Sequence, residues 1–322
     1  MSLTPPPARI RRRHLVRVAG AAALAAVALA GCSTTPAATG AAATSSAGSS
    51  KVITVVAAEN FWGSLAGQLG GTHVKVTSII SNPDADPHDY EPTAADGREV
   101  AAAQMVIING VGYDGWATKL ANANPSDART TLTVGDLVGA KDGDNPHRWY
   151  NPANVKQVMA QITADYQKAD PADAAYFAAQ HNTVVNTSLK QYFSLISQIK
   201  ASYAGTPVGA SESIFAMLSP ALGLDLLTPP TFLRAISEGT DPSAADKAAI
   251  DRQIKAKQIK VYVYNSQNAT PDIQAQIDEA KAQGIPVTTI TETLTPAGAS
   301  FQEWQVAQLA ALKQALAQAT GK

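Results

Sequence analysis

Residues 172–204 contain neither glycine nor proline, and this stretch constrains the architecture more than any other. Asp170-Pro171 opens it and Gly205 closes it, the punctuation expected of a helix start and stop. Within it Phe177, Val184, Val185, Leu189, Phe193, Ile196 and Ile199 fall near helical spacing. About 33 residues at 1.5 Å each reach roughly 50 Å, whereas a typical helix has about 11–12 residues. A helix of that length crosses one domain and joins it to another. We therefore place one domain before it and one after.

Short β-branched runs flank this helix on both sides. Val52–Val56, Val74–Ile80, Met105–Ile108, Val261–Tyr264 and Ile285–Ile290 read as buried strands, and Thr206–Ala210 as a weaker one. Helical stretches lie between them. Thr93 opens an Ala-rich one, Asn151-Pro152 places an N-cap before a first-turn proline, and Ser243 with Asp246 imitates a capping box. The alternation predicts an α/β protein of two lobes, each with a parallel sheet flanked by helices, joined by one long rigid helix. The boundaries expected are 51–168 for the first lobe, 169–204 for the linking helix and 205–322 for the second lobe. No internal sequence repeat is visible, although the two halves could share an architecture.

The residues before Lys51 are of another kind. Residues 1–31 carry five arginines and no acid, which leaves 20 basic against 26 acidic residues in the remainder. Val18–Ala30 has no charge but is shorter than the roughly 20 apolar residues a bilayer span needs. Residues 1–31 read as an export signal. Its end, Leu29-Ala30-Gly31-Cys32, resembles a bacterial lipobox, in which small side chains admit a peptidase and the thiol accepts the lipid. Cys32 is the only cysteine, so an intrachain disulfide and a Cys-based zinc module are both excluded. Arg12-Arg13 also resembles a loose twin-arginine signal, so the sequence leaves Sec and twin-arginine export both open. Ser33–Ser50 contains only Ser, Thr, Pro, Ala and Gly and reads as a flexible tether of roughly 20–25 Å root-mean-square span. The near-neutral charge balance argues against nucleic-acid binding.

Five histidines are candidates for chemistry. His14 lies in the leader, His73 in a turn before a strand where a surface position is expected, and His181 in mid-helix among polar neighbours. His88 and His147 differ from these. They form the only two Pro-His dipeptides, each in a proline-restricted loop of the first lobe. His88 directly follows a strand, where ligand sites of α/β sheets gather. Imidazole is the commonest metal ligand, and the separation of these two requires a site assembled by tertiary structure rather than a finger. The sequence has no G-x-S-x-G, Walker loop, dinucleotide fingerprint or EF-hand order, and Gly110-Val111-Gly112 reads as a turn.

Asp86-Pro87-His88-Asp89-Tyr90-Glu91-Pro92-Thr93 and Pro146-His147-Arg148-Trp149-Tyr150-Asn151-Pro152 resemble the two histidine motifs of the zinc/manganese solute-binding proteins of ABC importers. The resemblance runs over residues 51–322. It implies two α/β lobes on a linking helix with one divalent cation between them. It also implies a third ligand after the first strand of the second lobe, where this chain has Glu212. A fourth is implied after the last strand, where Glu292 stands in place of the usual Asp. Relatives often carry an acid where this chain has Asn265, which reads as a supporting or loop residue rather than a ligand. Glu212 and the short, His-free loop Leu137–Asn145 lean toward manganese, while the Irving–Williams order favours zinc.

Two imidazoles and two carboxylates would neutralise a divalent ion. The reading is a non-enzymatic, monomeric, lipid-anchored receptor on the extracytoplasmic face of a bacterial cell membrane. It would bind Zn2+ or Mn2+ through His88, His147, Glu212 and Glu292 and deliver it to a permease and its ATPase. The rival readings are a metal-dependent hydrolase, which needs an open metal position and a spare base, and a non-metal surface lipoprotein or adhesin.

Overall fold

The computed structural model describes residues 52–83 and 90–322. Cys32 and His88 lie outside the described residues, as do the export signal and the tether. The first half runs β1 (Ile53–Glu59), α1 (Asn60–Gly70), β2 (Val74–Ile80), α2 (Ala94–Ala102), β3 (Met105–Ile108), α3 (Gly115–Ala123), β4 (Thr130–Thr133), α4 (Val134–Leu137) and α5 (Pro152–Ala169). Helices α6 (Ala174–Thr183) and α7 (Lys190–Tyr203) follow. The second half runs β5 (Pro207–Ala210), α8 (Ile214–Leu222), β6 (Asp225–Leu226), α9 (Pro230–Ser237), α10 (Ala244–Lys255), β7 (Val261–Asn265), α11 (Pro271–Ala282), β8 (Val287–Ile290) and α12 (Phe301–Thr320).

Each half builds one four-stranded, wholly parallel sheet, ordered β2-β1-β3-β4 and β6-β5-β7-β8. The two orders are the same when counted from the start of each half. The halves therefore do share an architecture, without a sequence repeat to announce it. In both sheets the order reverses between the first and third strands, and the carboxyl ends at such a reversal form a ligand crevice.

Local signals explain where several helices begin. Thr93 and Asp96 make a reciprocal capping box at α2, as do Ser300 and Glu303 at α12. The Asn151 side chain accepts from Ala153 N and Asn154 N ahead of Pro152, and Ser243 accepts from Asp246 N at α10. Two edge strands, β4 and β6, were not expected. The first is a polar Thr-Thr-Leu-Thr and the second only two residues long, so neither carries the apolar run that marks a central strand.

The long helical stretch is present but is not uniform. A short 3-10 turn (Pro171–Asp173) leads into α6, and a π turn (Val184–Ser188) separates α6 from α7. The reason is visible in the buried stripe. Val184 and Leu189 are both buried but stand five residues apart, one more than an α-helical step. The π turn absorbs the extra residue, so that Leu189, Tyr192, Ile196 and Ile199 continue the stripe begun by Phe177.

A second connection runs alongside. Helix α12 packs against α7 and reaches back to the first half, where Ser64 Oγ accepts from Phe301 N at 2.9 Å and the Gln68 and Gln302 amides exchange bonds of 2.8 and 3.0 Å. One apolar core accordingly runs through both sheets, with a smaller cluster around Val56, Ile80, Val106 and Ile108 beneath the first.

Candidate metal centre

The first half contributes a wall of stacked rings. Phe61, at the start of α1, lies parallel to Trp149 with centroids 3.9 Å apart, and Trp149 in turn meets Tyr113 and His147 at 5.0 and 5.2 Å. Behind the rings, the loop after β3 closes on itself. The Asp114 carboxylate accepts from Asn109 N at 2.6 Å and from Gly110 N at 2.7 Å. Gly110, Val111 and Gly112 all have positive φ there, 73°, 60° and 76°. Valine is rare in that region because its branched Cβ crowds the backbone, and it fits because Gly135 faces it. A Cβ on Gly135 would come within 2.7 Å of Val111 Cγ2. The Asn109 side chain then ties this loop to the next: it accepts from Trp62 Nε1 at 3.1 Å and donates to Pro146 O at 2.9 Å.

His147 is fully buried, and its hydrogen bonds fix its tautomer. Asn145 Oδ1 accepts from His147 N at 3.1 Å, while Asn145 Nδ2 donates to Ser213 O at 2.6 Å. Those two bonds settle which end of the Asn145 amide is oxygen. That oxygen lies 2.8 Å from His147 Nδ1, so Nδ1 must carry a hydrogen. In the neutral ring Nε2 is therefore the acceptor nitrogen, and it meets Glu292 Oε1 across the molecule at 2.8 Å, a distance that requires one proton shared between the two atoms. Burial holds the imidazole pKa down to about 4, which keeps the ring in the form that ligates a cation.

The second half contributes amides and hydroxyls. Glu212 follows β5 and is 3% exposed. Its Oε1 accepts from Asn268 Nδ2 at 3.1 Å; its Oε2 is buried without a hydrogen bond of normal geometry, though the Asn265 amide lies alongside. Burial first, and then the charge of Glu292, push the Glu212 carboxyl up to about 7. Glu292 follows β8. Besides His147 it meets Tyr113, whose hydroxyl donates to Oε2 at 3.2 Å. Its own backbone N donates to Gln267 Oε1 at 2.6 Å. Burial, reinforced by Glu292, raises the Tyr113 hydroxyl well above its ordinary range, so it stays a donor.

The structure thus brings His147 and Glu292 into contact from opposite halves, with Glu212 close enough to sense both charges. Glu212 is not part of the same tight group. Among the described residues, the set of three ligand-type side chains whose atoms all lie within 4.8 Å of one another is His73, Asp170 and Asp173, at the other end of the first sheet. Two buried carboxylates repel, and Asn268 anchors Glu212 on its own side.

Sequence reasoning missed several participants. Glu59 ends β1 and is fully buried beside Asp114, its oxygens without a hydrogen bond of normal geometry. Burial raises its pKa well above the carboxylate range, and burial also lifts Asp114 to about 6. The signal available was an acid closing the otherwise apolar run Val55-Val56-Ala57-Ala58-Glu59. Asn145, Gln267 and Asn268 gave no such signal, since an amide in a loop has no distinctive pattern. His181, whose polar mid-helix neighbours suggested a solvated position, is half-buried with Nδ1 3.0 Å from Thr163 Oγ1.

Two parallel α/β halves with polar groups gathered at their carboxyl edges, braced by helices common to both, define a two-lobed solute-binding protein. A family model for the periplasmic component A of the zinc-uptake complex matches residues 55–315, and the chain belongs to that family. As a member it is the solute-binding component of a metal-uptake system and not an enzyme. Among curated proteins it is 24% identical over 285 residues to a metal ABC transporter substrate-binding lipoprotein of Lactococcus lactis, covering 80% of this chain and 87% of that one. It is 28% identical over 132 residues to the manganese-binding lipoprotein MntA of Halalkalibacterium halodurans, a match spanning 39% of this chain and 43% of that protein. The manganese-bound periplasmic metal-binding protein of Candidatus Liberibacter asiaticus has the same fold, with a TM-score of 0.67 at 19% identity, covering 82% of this chain and 99% of that one.

Proposed function

We propose that the protein captures a divalent zinc or manganese ion through His147, Glu212 and Glu292, with His88 completing the set, and delivers it to the permease and ATPase of an ABC importer. The observation that carries this reading is the buried meeting of His147 Nε2 with Glu292 Oε1 at 2.8 Å. The two side chains come from different halves, the imidazole is held neutral with its lone pair outward, and the partially neutralised carboxylates nearby are stabilised by an added positive charge. Residues 51–168 and 205–322 act as the two lobes, and residues 169–204 limit how far they part. The cation pulls Glu212 toward the His147–Glu292 pair, so capture involves a local shift in the second lobe rather than a wide clamshell motion. Lipidation of Cys32 holds the receptor as a monomer on the extracytoplasmic face of the membrane, within reach of its permease. Among the described residues no helix is long and apolar enough to cross a membrane.

The test is elemental analysis of the protein purified under mild conditions, repeated on Glu212→Ala. One stoichiometric metal in the parent and a loss of at least a hundredfold in affinity in the variant support the proposal, and the element found separates zinc from manganese. A parent protein that neither carries nor takes up either metal overturns it.

A further inference from the structure

At the opposite end of the first sheet, before β2 begins, His73 meets the junction between α5 and α6. Its Nδ1 lies 3.0 Å from Asp173 Oδ2, and the ligand atoms of His73, Asp170 and Asp173 all lie within 4.8 Å of one another. Two features separate this group from an ordinary surface ion pair. The Nδ1 atom is buried and, despite that short distance, has no hydrogen bond of acceptable geometry. The in-plane direction of Nδ1 is therefore not taken up by Asp173, although two carboxylates lie within reach of it. The ring is also held in place before any ligand arrives: it stacks on Tyr176 at 3.9 Å with planes 13° apart and meets the edge of Phe177. Tyr176 is itself pinned, its hydroxyl accepting from Thr72 N at 3.1 Å and Gln180 Nε2 at 2.8 Å. The two aspartates are fixed by the chain turn, Asp170 N bonding Tyr166 O at 2.9 Å and Asp173 N bonding Asp170 O at 3.3 Å.

We propose that His73, Asp170 and Asp173 form a second divalent-cation site, separate from the cargo site and suited to zinc. Zinc–ligand bonds of about 2.0–2.1 Å in a tetrahedron set ligand atoms roughly 3.3 Å apart. The spacing here, from 3.0 Å to at most 4.8 Å, closes to that value with small side-chain rotations. One imidazole and two carboxylates supply three ligands and a neutral sum, and water supplies the fourth. With Nδ1 as ligand, the proton resides on Nε2. An imidazole donor favours zinc over calcium or magnesium. The site ties the turn between α1 and β2 to the foot of the helical stretch that links the lobes, so a cation there braces the first lobe where that stretch begins.

The experiment is zinc titration by calorimetry on the full chain, with zinc alone as the probe. The parent is expected to take two zinc ions. A chain carrying His147→Ala and Glu212→Ala keeps one, and adding His73→Gln or, separately, Asp173→Asn weakens that remaining site at least tenfold. His73→Gln in the parent background leaves a single zinc at the cargo site, which also shows that the variant is folded. A double variant that binds no zinc, or residual binding that His73→Gln and Asp173→Asn both leave unchanged, overturns the proposal. Because the cargo ligands are removed first, this result stands or falls separately from the transport reading.

Discussion

The two walls facing across the candidate metal centre are built from the same strand order but by different physics. On the first-lobe side, His147 sits against Phe61, Tyr113 and Trp149, rings that bury large areas and leave few alternative packings. On the second-lobe side, polar contacts do the placing: Asn268 donates to Glu212, while Glu292 takes the Tyr113 hydroxyl and His147 on its carboxylate and gives its backbone N to Gln267. A hydrogen bond of this kind is worth about 1 kcal/mol net and can be exchanged for another, whereas a packed indole cannot move without opening a void. The contrast assigns rigidity to the imidazole and adaptability to the carboxylates. On the proposed reading, an arriving cation would find one preset nitrogen and gather the oxygens to it.

Each prediction tests that contrast. The largest effect is expected for Trp149→Ala, which opens a cavity behind His147 and costs about 3–5 kcal/mol of stability in a denaturant melt. A cost near zero would remove the distinction between the walls. Next comes pH. The unfolded imidazole of His147 titrates near 6.5 and the folded one near 4, so its contribution is lost as pH falls through that window. Glu212 and Asp114 run the other way: their carboxyls rise from 4.5 to about 7 and from 3.8 to about 6 on folding, so their contributions are lost as pH rises. Glu59 is raised in the same sense, and with three carboxyls against one imidazole the metal-free protein should be more stable near pH 5 than near pH 8. Added metal should reverse the trend, because ligation requires the deprotonated groups. Thermal melts at both pH values, with and without zinc, check the sign.

Two smaller effects sharpen the comparison. Asn145→Ala frees the Nδ1 hydrogen and with it the choice of tautomer, and metal affinity should fall about ten- to hundredfold in calorimetry. Gln267→Ala removes the acceptor for Glu292 N and a link to Pro83 O in the first half. Because that side adapts, affinity should fall by less than about tenfold and stability by about 1 kcal/mol. A larger loss than for Asn145→Ala would show that the second wall, not the first, is the preset one.

Most of the sheet framework was legible from short runs containing β-branched residues, whether the strand is buried like β3 or a half-buried edge like β2. Val74–Ile80 and Met105–Ile108 coincide with β2 and β3 to the residue. Strands β4 and β6 were not legible, since a short edge strand takes its stability from one neighbour's backbone and needs no side-chain pattern. The long helix was legible from what it lacks, glycine and proline. The π turn inside it was not, since nothing but the packing of Val184 and Leu189 calls for it. At the site, His147 stood out as one of two Pro-His dipeptides in proline-restricted loops, whereas Glu212 and Glu292 were implied by the family resemblance alone. Glu59 and Asn145 were not legible, the one lying beyond the apolar run Val52–Val56 and the other at the end of the loop Leu137–Asn145.

The sequence by itself determined two α/β halves, a helix joining them, and the residue types able to hold a doubly charged ion. Those follow from local rules, in which periodicity, capping and side-chain chemistry act within a few residues. Tertiary structure alone decided which nitrogen of His147 bears the proton and that Glu292 rather than Glu212 touches it. It also buried Glu59 beside Asp114 and placed His73 against the foot of the linking helices. Each of these depends on burial and on partners far along the chain (Ser213 for the Asn145 amide that sets the tautomer, Glu292 for His147, Asp114 for Glu59, Asp173 for His73), and desolvation and hydrogen-bond geometry exist only once the chain has closed around them.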